Sequence, residues 1–258
     1  MEEKRNFDLL TLGQVLLRLS PPNNDRLVRG DTFVKQVGGA ELNVAVGVAL
    51  LGLRTGVISK LPSHDMGSFM KGKIRSYGVS DDFFMYDDSP SARVGIYYYE
   101  NGAYPRKPKV IYDRANSSFY SLKIDEIPEK AYTASRCFHT SGITLALSPK
   151  VRETTIEMIK RFKAAGTLVS FDVNFRGNLW TGEEAKECIE QILPYVDIFF
   201  CSEDTARLTF KKTGTAREMM KSFTEEYPIS IVASTQRIVH SPKSHTFGSI
   251  IYDARKDI

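Results

Sequence analysis

The chain has 258 residues, 42% of them hydrophobic and 26% charged, with a net charge of +4 spread over both signs. This is the composition of an ordinary globular protein with a sizeable core in one or two domains, and its weak positive balance gives no argument for nucleic acid. No apolar run reaches the ~18 residues a membrane-spanning helix needs. The charged start MEEKRNFDLL lacks a signal peptide's apolar segment, and Cys137, Cys188 and Cys201 are scattered without a Cys-x-x-Cys pair. The reading is a cytoplasmic protein with inert core thiols.

In chain order, Phe7 to Gly13 is a short apolar strand ending in glycine. Leu42 to Leu51 is almost wholly apolar and stops at Gly52, as a buried helix would. Gly56 to Ser59 predicts a strand and Met66 to Tyr77 a helix closed by Gly78. Beyond Tyr86 the texture changes. Arg93 to Glu100 is rich in aromatics, Lys109 to Tyr112 is short and strand-like, and Asn101, Gly102 and Pro105 lie between them, which predicts a hairpin. It interrupts the βα alternation, so it is assigned to a small separate β element. That element is built from Val15 to Leu19, part of Asp25 to Gln36, and Tyr86 to Ser118, or about residues 15–36 and 86–118.

The alternation then resumes. Arg136 to His139 is a strand, and Ser148-Pro149 opens a helix that stops at Gly166. Thr167 to Phe171 is the next strand, Thr181 and Glu184 form a capping box, and Pro194 ends that helix. Asp197 to Cys201, Ile229 to Ala233 and Phe247 to Tyr252 are further strands. Asp253 to Asp257 reads as a turn, with Ile258 beginning a partner strand. Several strands are continuous apolar runs, as in strands covered by helices on both faces, so the fold class is α/β with a mostly parallel core sheet.

Five groups of residues carry possible chemistry. Gly38-Gly39-Ala40-Glu41-Leu42-Asn43 opens the apolar helix: glycines admit a ligand to the backbone, the helix start offers unpaired N–H groups, and Asn43 adds an amide. The bland reading is a glycine turn. It is not a P-loop, because Gly-Lys-Ser/Thr is absent. Tyr97, Tyr112 and Arg114 combine flat aromatic walls with a guanidinium that can grip a carboxylate, or else are packing residues and a solvated turn charge. Asp172-Val173-Asn174-Phe175-Arg176 follows a strand, where open α/β sheets place ligands. Ser202-Glu203-Asp204-Thr205 reads foremost as a helix cap. Ser234-Thr235-Gln236-Arg237 reads as a loop after a strand. His64, His139, His240 and His245 have no metal-ligand spacing and read as structural or solvated.

Gly-Gly-x-x-x-Asn-x-Ala followed by Gly52 resembles the N-terminal signature of ribokinase-like carbohydrate kinases of the phosphofructokinase-B type, with Pro62 where the pattern expects a glycine. Asp172-x-Asn174-x-Arg176 is similar to the family's pattern at this place, and Val110 to Arg114 and Ser141 to Thr144 with Ala146 to Pro149 are most similar to its 2-keto-3-deoxygluconate kinases. The resemblance implies a three-layer ribokinase-like sandwich with a β-sheet lid, transfer of the ATP γ-phosphoryl group to 2-keto-3-deoxygluconate, Mg2+ with the nucleotide, and a homodimer through the lid. It implies that Gly38, Gly39, Asn43, Tyr97, Tyr112, Arg114 and Arg176 hold the sugar acid. Asn174, Arg176, Thr235 and Arg237 would face ATP. The family's Asn-x-x-Glu is replaced by Ser202 to Thr205, which leaves the magnesium ligands unassigned. The second signature, Asp-x-x-Gly-Ala/Ser-Gly-Asp, with its catalytic aspartate and anion hole, does not occur in the 258 residues. By the resemblance that aspartate would lie beyond Ile258, so no catalytic residue is assigned. The expectation is an incomplete chain with little or no kinase activity. Other readings are a fructokinase-type enzyme, a non-catalytic sugar-acid-binding protein and an interaction module.

Overall fold

The computed structural model describes residues 5–241 and 244–258. The strands are β1 (Phe7–Leu12), β2 (Leu16–Ser20), β3 (Val34–Gly38), β4 (Thr55–Pro62), β5 (Val79–Asp87), β6 (Gly95–Glu100), β7 (Lys109–Asp113), β8 (Ser135–Ser141), β9 (Leu168–Asp172), β10 (Ile198–Phe200), β11 (Ile231–Ser241) and β12 (Ser244–Asp253). The helices are α1 (Ala40–Leu50), α2 (Asp65–Ser76), α3 (Lys130–Thr133), α4 (Gly142–Ala146), α5 (Pro149–Ala164), α6 (Gly182–Glu190), α7 (Glu203–Leu208) and α8 (Ala216–Glu226).

Eight strands form one sheet in the order β12-β11-β10-β9-β8-β1-β4-β5. All its neighbours are parallel except β11 and β12. The other four form a second sheet, β3-β2-β6-β7, in which the aromatic strand β6 pairs antiparallel with β7 as the hairpin pattern predicts. β5 runs on to Asp87 in the main sheet, so Tyr86 and Asp87 belong there and not to the small element.

Local chemistry sets the helix starts. Ser148 Oγ accepts from Val151 N–H with Pro149 behind it, and Thr181 with Glu184 forms a reciprocal capping box. One face of the large sheet is sealed by α5, α6 and α8. Phe138, Val169, Phe171, Phe199 and Val232 there meet Met158, Phe162, Ile189 and Phe223 in one buried cluster. Phe138 stacks on Phe162 at 4.0 Å between ring centroids. On the opposite face α1 and α2 pack over β1, β4 and β5. Their Leu42, Ala45, Met70 and Ile74 share a second core with Val57, Leu61 and, from the region of the small sheet, Val15, Leu17 and Val94.

The structure corrects two expectations about apolar runs. Continuous apolar strands predict helices on both faces, yet Leu168, Phe200 and Ile251, on β9, β10 and β12, are 50%, 37% and 62% exposed, because α1 and α2 lie to one side of them. The apolar helix buries only Glu41, Leu42 and Ala45, and Leu50 and Leu51 at its end are 80% exposed. An apolar run reports tolerance of burial on any side, but α1 contacts the sheet on one side. β12 stops at Asp253, and in the turn that follows the Asp253 N–H donates to the Ile258 carbonyl oxygen at 2.8 Å.

Candidate functional site

The parallel strands β1, β8, β9 and β10 end at the same edge, so Gly13-Gln14, Ser141, Asp172 to Arg176 and Cys201-Ser202 lie close together there. The second sheet approaches this edge through Gly38, which closes β3 immediately before α1.

The double glycine is shaped by two close approaches. Gly39, with φ +152°, is the N-cap of α1, and a Cβ on it would lie 2.7 Å from the Gln14 carbonyl oxygen. A Cβ on Gly38 would lie 2.6 Å from the Tyr97 hydroxyl. Tyr97 pairs with Tyr112 across β6 and β7, their ring centroids 6.0 Å apart. Arg114 follows β7, half-buried, and its Nε donates to Gln14 Oε1 at 2.7 Å. Gln14 Nε2 returns a bond to the Arg114 carbonyl oxygen at 3.0 Å and another to Ser117 Oγ at 2.7 Å. Gln14 therefore touches both the glycine turn and the guanidinium. Burial draws the Arg114 pKa down, and Tyr120 and Glu41 are the nearby groups that oppose this most. Its side-chain partner is an amide, which leaves the cation free to meet an anionic ligand.

Below the turn, Glu41 is 2% exposed. Its Oε1 accepts from Ser141 Oγ at 2.5 Å and from Thr144 Oγ1 at 2.8 Å. Burial raises its pKa, and these hydroxyls, its own N–H and Arg114 act against the rise.

On the other side of Asp172 lies a cleft of about 300 Å³, lined among others by Asp172, Asn174, Arg176, Ser202, Thr205 and Thr235. Asn174 adopts φ +39°, which asparagine tolerates better than most residues, and its N–H donates to Asp172 Oδ1 at 3.0 Å. Ser202 caps α7 by accepting from Thr205 N–H. Burial pushes the Asp172 pKa up to about 6, the Asn174 N–H and Arg176 lower it, and Glu41 raises it. The folded value therefore lies above the ordinary 3.8, so the folded chain binds more protons between those values. Stability falls as pH rises through that window and is level above it. We expect Asp172→Asn to make this slope shallower, leaving the part due to buried Glu41, and to raise stability at pH 7 by roughly 1–2 kcal/mol, after allowance for partial exposure. Denaturant melts of both proteins from pH 4 to 7 check it.

The structure brings Gly38, Gly39, Tyr97, Tyr112 and Arg114 together, and it places Asn174, Arg176 and Thr235 along the cleft. Asn43 is on α1 with its side chain exposed. Ser234 to Arg237 is not a loop: it lies within β11, with Thr235 opposite Ser249 and Arg237 opposite Phe247. Arg237 is outside the residues that line the cleft, and its guanidinium contacts the His245 ring. The β11–β12 hairpin runs past the helical layer, so its polar residues carry no apolar pattern to reveal a strand. Gln14 is a site residue that the sequence alone does not single out, and its one local signal is a polar residue where an apolar strand ends. Glu41 and Asp172 fall within the Gly38–Asn43 and Asp172–Arg176 groups, but the sequence gives neither of them a role. His139 is buried against Ser170 with its pKa pushed down to about 4, and His64 caps α2. Among the described residues no helix is long and apolar enough to cross a membrane.

The family model for pfkB family carbohydrate kinases matches residues 6–236. The chain is 34% identical over 229 residues to a 2-dehydro-3-deoxygalactonokinase of Haloferax volcanii, a match covering 89% of this chain and 71% of that protein. Its fold superposes on the crystal structure of 2-dehydro-3-deoxygluconokinase from Thermotoga maritima with a TM-score of 0.89 and 31% identity, covering 96% of this chain and 78% of that one. A pfkB family carbohydrate kinase from Listeria grayi gives a TM-score of 0.87 and 29% identity over 96% and 77%. With the family match spanning most of its length, the two-sheet architecture and the glycine-turn site, the chain belongs to the pfkB family of carbohydrate kinases.

Proposed function

We propose that the chain carries the substrate and nucleotide sites of a sugar-acid kinase that transfers the ATP γ-phosphoryl group to the terminal hydroxyl of 2-keto-3-deoxygluconate. The observation that carries this is the Gln14 bridge, which holds the Arg114 guanidinium beside the double-glycine turn. A guanidinium there suits a carboxylate, helix-start amides suit sugar oxygens, and Tyr97 and Tyr112 supply the walls. The names of the Haloferax and Thermotoga proteins, both kinases of 2-keto-3-deoxy sugar acids, support the same substrate class. The two acids differ at one hydroxyl-bearing carbon, and the gluconate form is our reading.

The polar cleft fits a triphosphate: Asn174, Arg176, Ser202 and Thr235 present amide, guanidinium and hydroxyl donors along it, and its size is within the usual range for small-molecule sites. Arg237, on the same strand but turned to His245, would reach only an outlying part of the nucleotide. Among the described residues no cluster of three or more His, Cys, Asp or Glu side chains is placed to hold a metal. Mg2+ would therefore enter on the phosphates, in keeping with its preference for few protein ligands, where it neutralises charge on the transferred group. Asp172, beside Asn174 at the head of the cleft, is the carboxyl closest to hand for its water shell.

The small sheet acts as the lid in this reading. A second copy would pair through this sheet, which carries exposed apolar residues on both faces, Val34 and Val110 on one and Ile111 on the other. Native mass spectrometry at micromolar protein should show a dimer, and monomer alone refutes the pairing.

Binding requires no general base, so calorimetry on the 258-residue chain tests the substrate. 2-Keto-3-deoxygluconate should bind, 2-keto-3-deoxygalactonate should bind more weakly, and fructose, which has no carboxylate, should give no heat. Fructose binding as well as the acid would replace this reading with a neutral-hexose kinase.

A further inference from the structure

Glu41 touches neither the cleft nor the aromatic walls, yet its burial demands a reason. A carboxyl taken out of water is costly unless its oxygens are bonded, and an apolar residue would fill the space without that cost. Here the side chain joins four segments. It rises from the first turn of α1 and lies against Gly13 at the end of β1, so closely that a Cβ on Gly13 would sit 2.1 Å from its Oε2. Its Oε1 takes the hydroxyl protons of Ser141, the last residue of β8, and of Thr144 in α4. Ser141 Oγ simultaneously accepts the Ile143 N–H at 3.2 Å and so caps α4. Ser141 also stands opposite Asp172 in the sheet register, so the group reaches the head of the nucleotide cleft.

We propose that Glu41 is a positioning residue for the sugar acid: its carboxyl clamps the double-glycine turn to the Ser141–Thr144 turn and thereby fixes the helix-start amides opposite Arg114. This gives the Ser141-Gly142-Ile143-Thr144 run a role. Gly142 belongs to the same device, since a Cβ there would lie 2.2 Å from the Val173 carbonyl oxygen and would part α4 from the Asp172–Arg176 loop. The clamp acts on backbone next to the ligand, while the cleft wall formed by Ser202, Thr205 and Thr235 belongs to the start of α7 and to β11. Its loss therefore affects the acid selectively.

The inference rests on the sugar-acid reading, and two independent measurements separate them. The first is hydrogen exchange on the ligand-free chain. Glu41→Ala should speed exchange at residues 43–46, the first hydrogen-bonded amides of α1, by roughly tenfold while α5 stays protected, and Glu41→Gln, whose amide oxygen still accepts both hydroxyls, should match the wild type. The second is calorimetry. Glu41→Ala should weaken 2-keto-3-deoxygluconate by roughly tenfold or more with a non-hydrolysable ATP analogue within about twofold, and Glu41→Gln should restore the acid to within about threefold. Thr144→Val, which removes one donor and keeps the shape, should fall between and serves if Glu41→Ala does not fold. Unchanged exchange at residues 43–46, or equal weakening of both ligands with loss of α5 protection, overturns the clamp. If the wild type binds no acid, the substrate reading fails and the exchange result alone decides the clamp.

Discussion

Arg114→Ala should weaken 2-keto-3-deoxygluconate binding by roughly 30- to 150-fold, about 2–3 kcal/mol, while ATP affinity stays within about threefold. The loss has two parts. The carboxylate forfeits a charge-assisted partner, and Gln14, whose Oε1 accepts from Arg114 Nε, loses the contact that orients it. Arg114→Lys should recover part of the affinity, because an ammonium keeps the charge but lacks the planar fork. The nucleotide should be nearly indifferent, since Arg114 is not among the residues lining the cleft. Calorimetric titration of each ligand into each variant reads the difference, and equal loss of both would make Arg114 a structural residue.

Gly39→Ala should lower stability by about 2–4 kcal/mol and the melting temperature by roughly 5–10 °C. At φ +152° a side chain is strained wherever it points, and its Cβ would meet the Gln14 carbonyl oxygen at 2.7 Å. That oxygen is backbone at the end of a buried strand and cannot swing away. Gly38→Ala provides the contrast. Its Cβ would meet the Tyr97 hydroxyl, the far end of a side chain that can turn aside, so stability should change by less than about 1 kcal/mol. Displacing that hydroxyl should still weaken the sugar acid. Thermal melts with calorimetry distinguish the two glycines; if both variants melt like the wild type, the turn is looser than its geometry implies.

What is legible in the sequence is what local chemistry determines. Ser148 before Pro149 and Thr181 with Glu184 are helix starts whose partners lie within three residues, and each caps its helix in the structure. The aromatic hairpin is visible for the same reason: β6 and β7 are separated by a short turn-forming stretch. The relations that build the site are of another kind. Gln14 meets Arg114 and Glu41 meets Ser141 across 100 residues of chain, and neither partner carries a local mark of the other. The double glycine flags close approach, but not that Gln14 and Tyr97 are what approach it. Apolar runs are equally one-sided evidence. They locate α1 and the strands, but not that Leu50, Leu51 and Ile251 face outward. Along β11 the polar run Ser234 to Arg237 reads as a loop because its pairing with β12, which begins at Ser244, leaves no apolar trace.

The most direct test is a crystal structure of the 258-residue chain with 2-keto-3-deoxygluconate bound. The carboxylate should lie within hydrogen-bonding distance of the Arg114 guanidinium, with sugar oxygens on the amides that follow Gly39 and the terminal hydroxyl directed toward Asn174 and the cleft. Density for the acid anywhere else, with Arg114 still bonded to Gln14 and facing only solvent, would contradict this site.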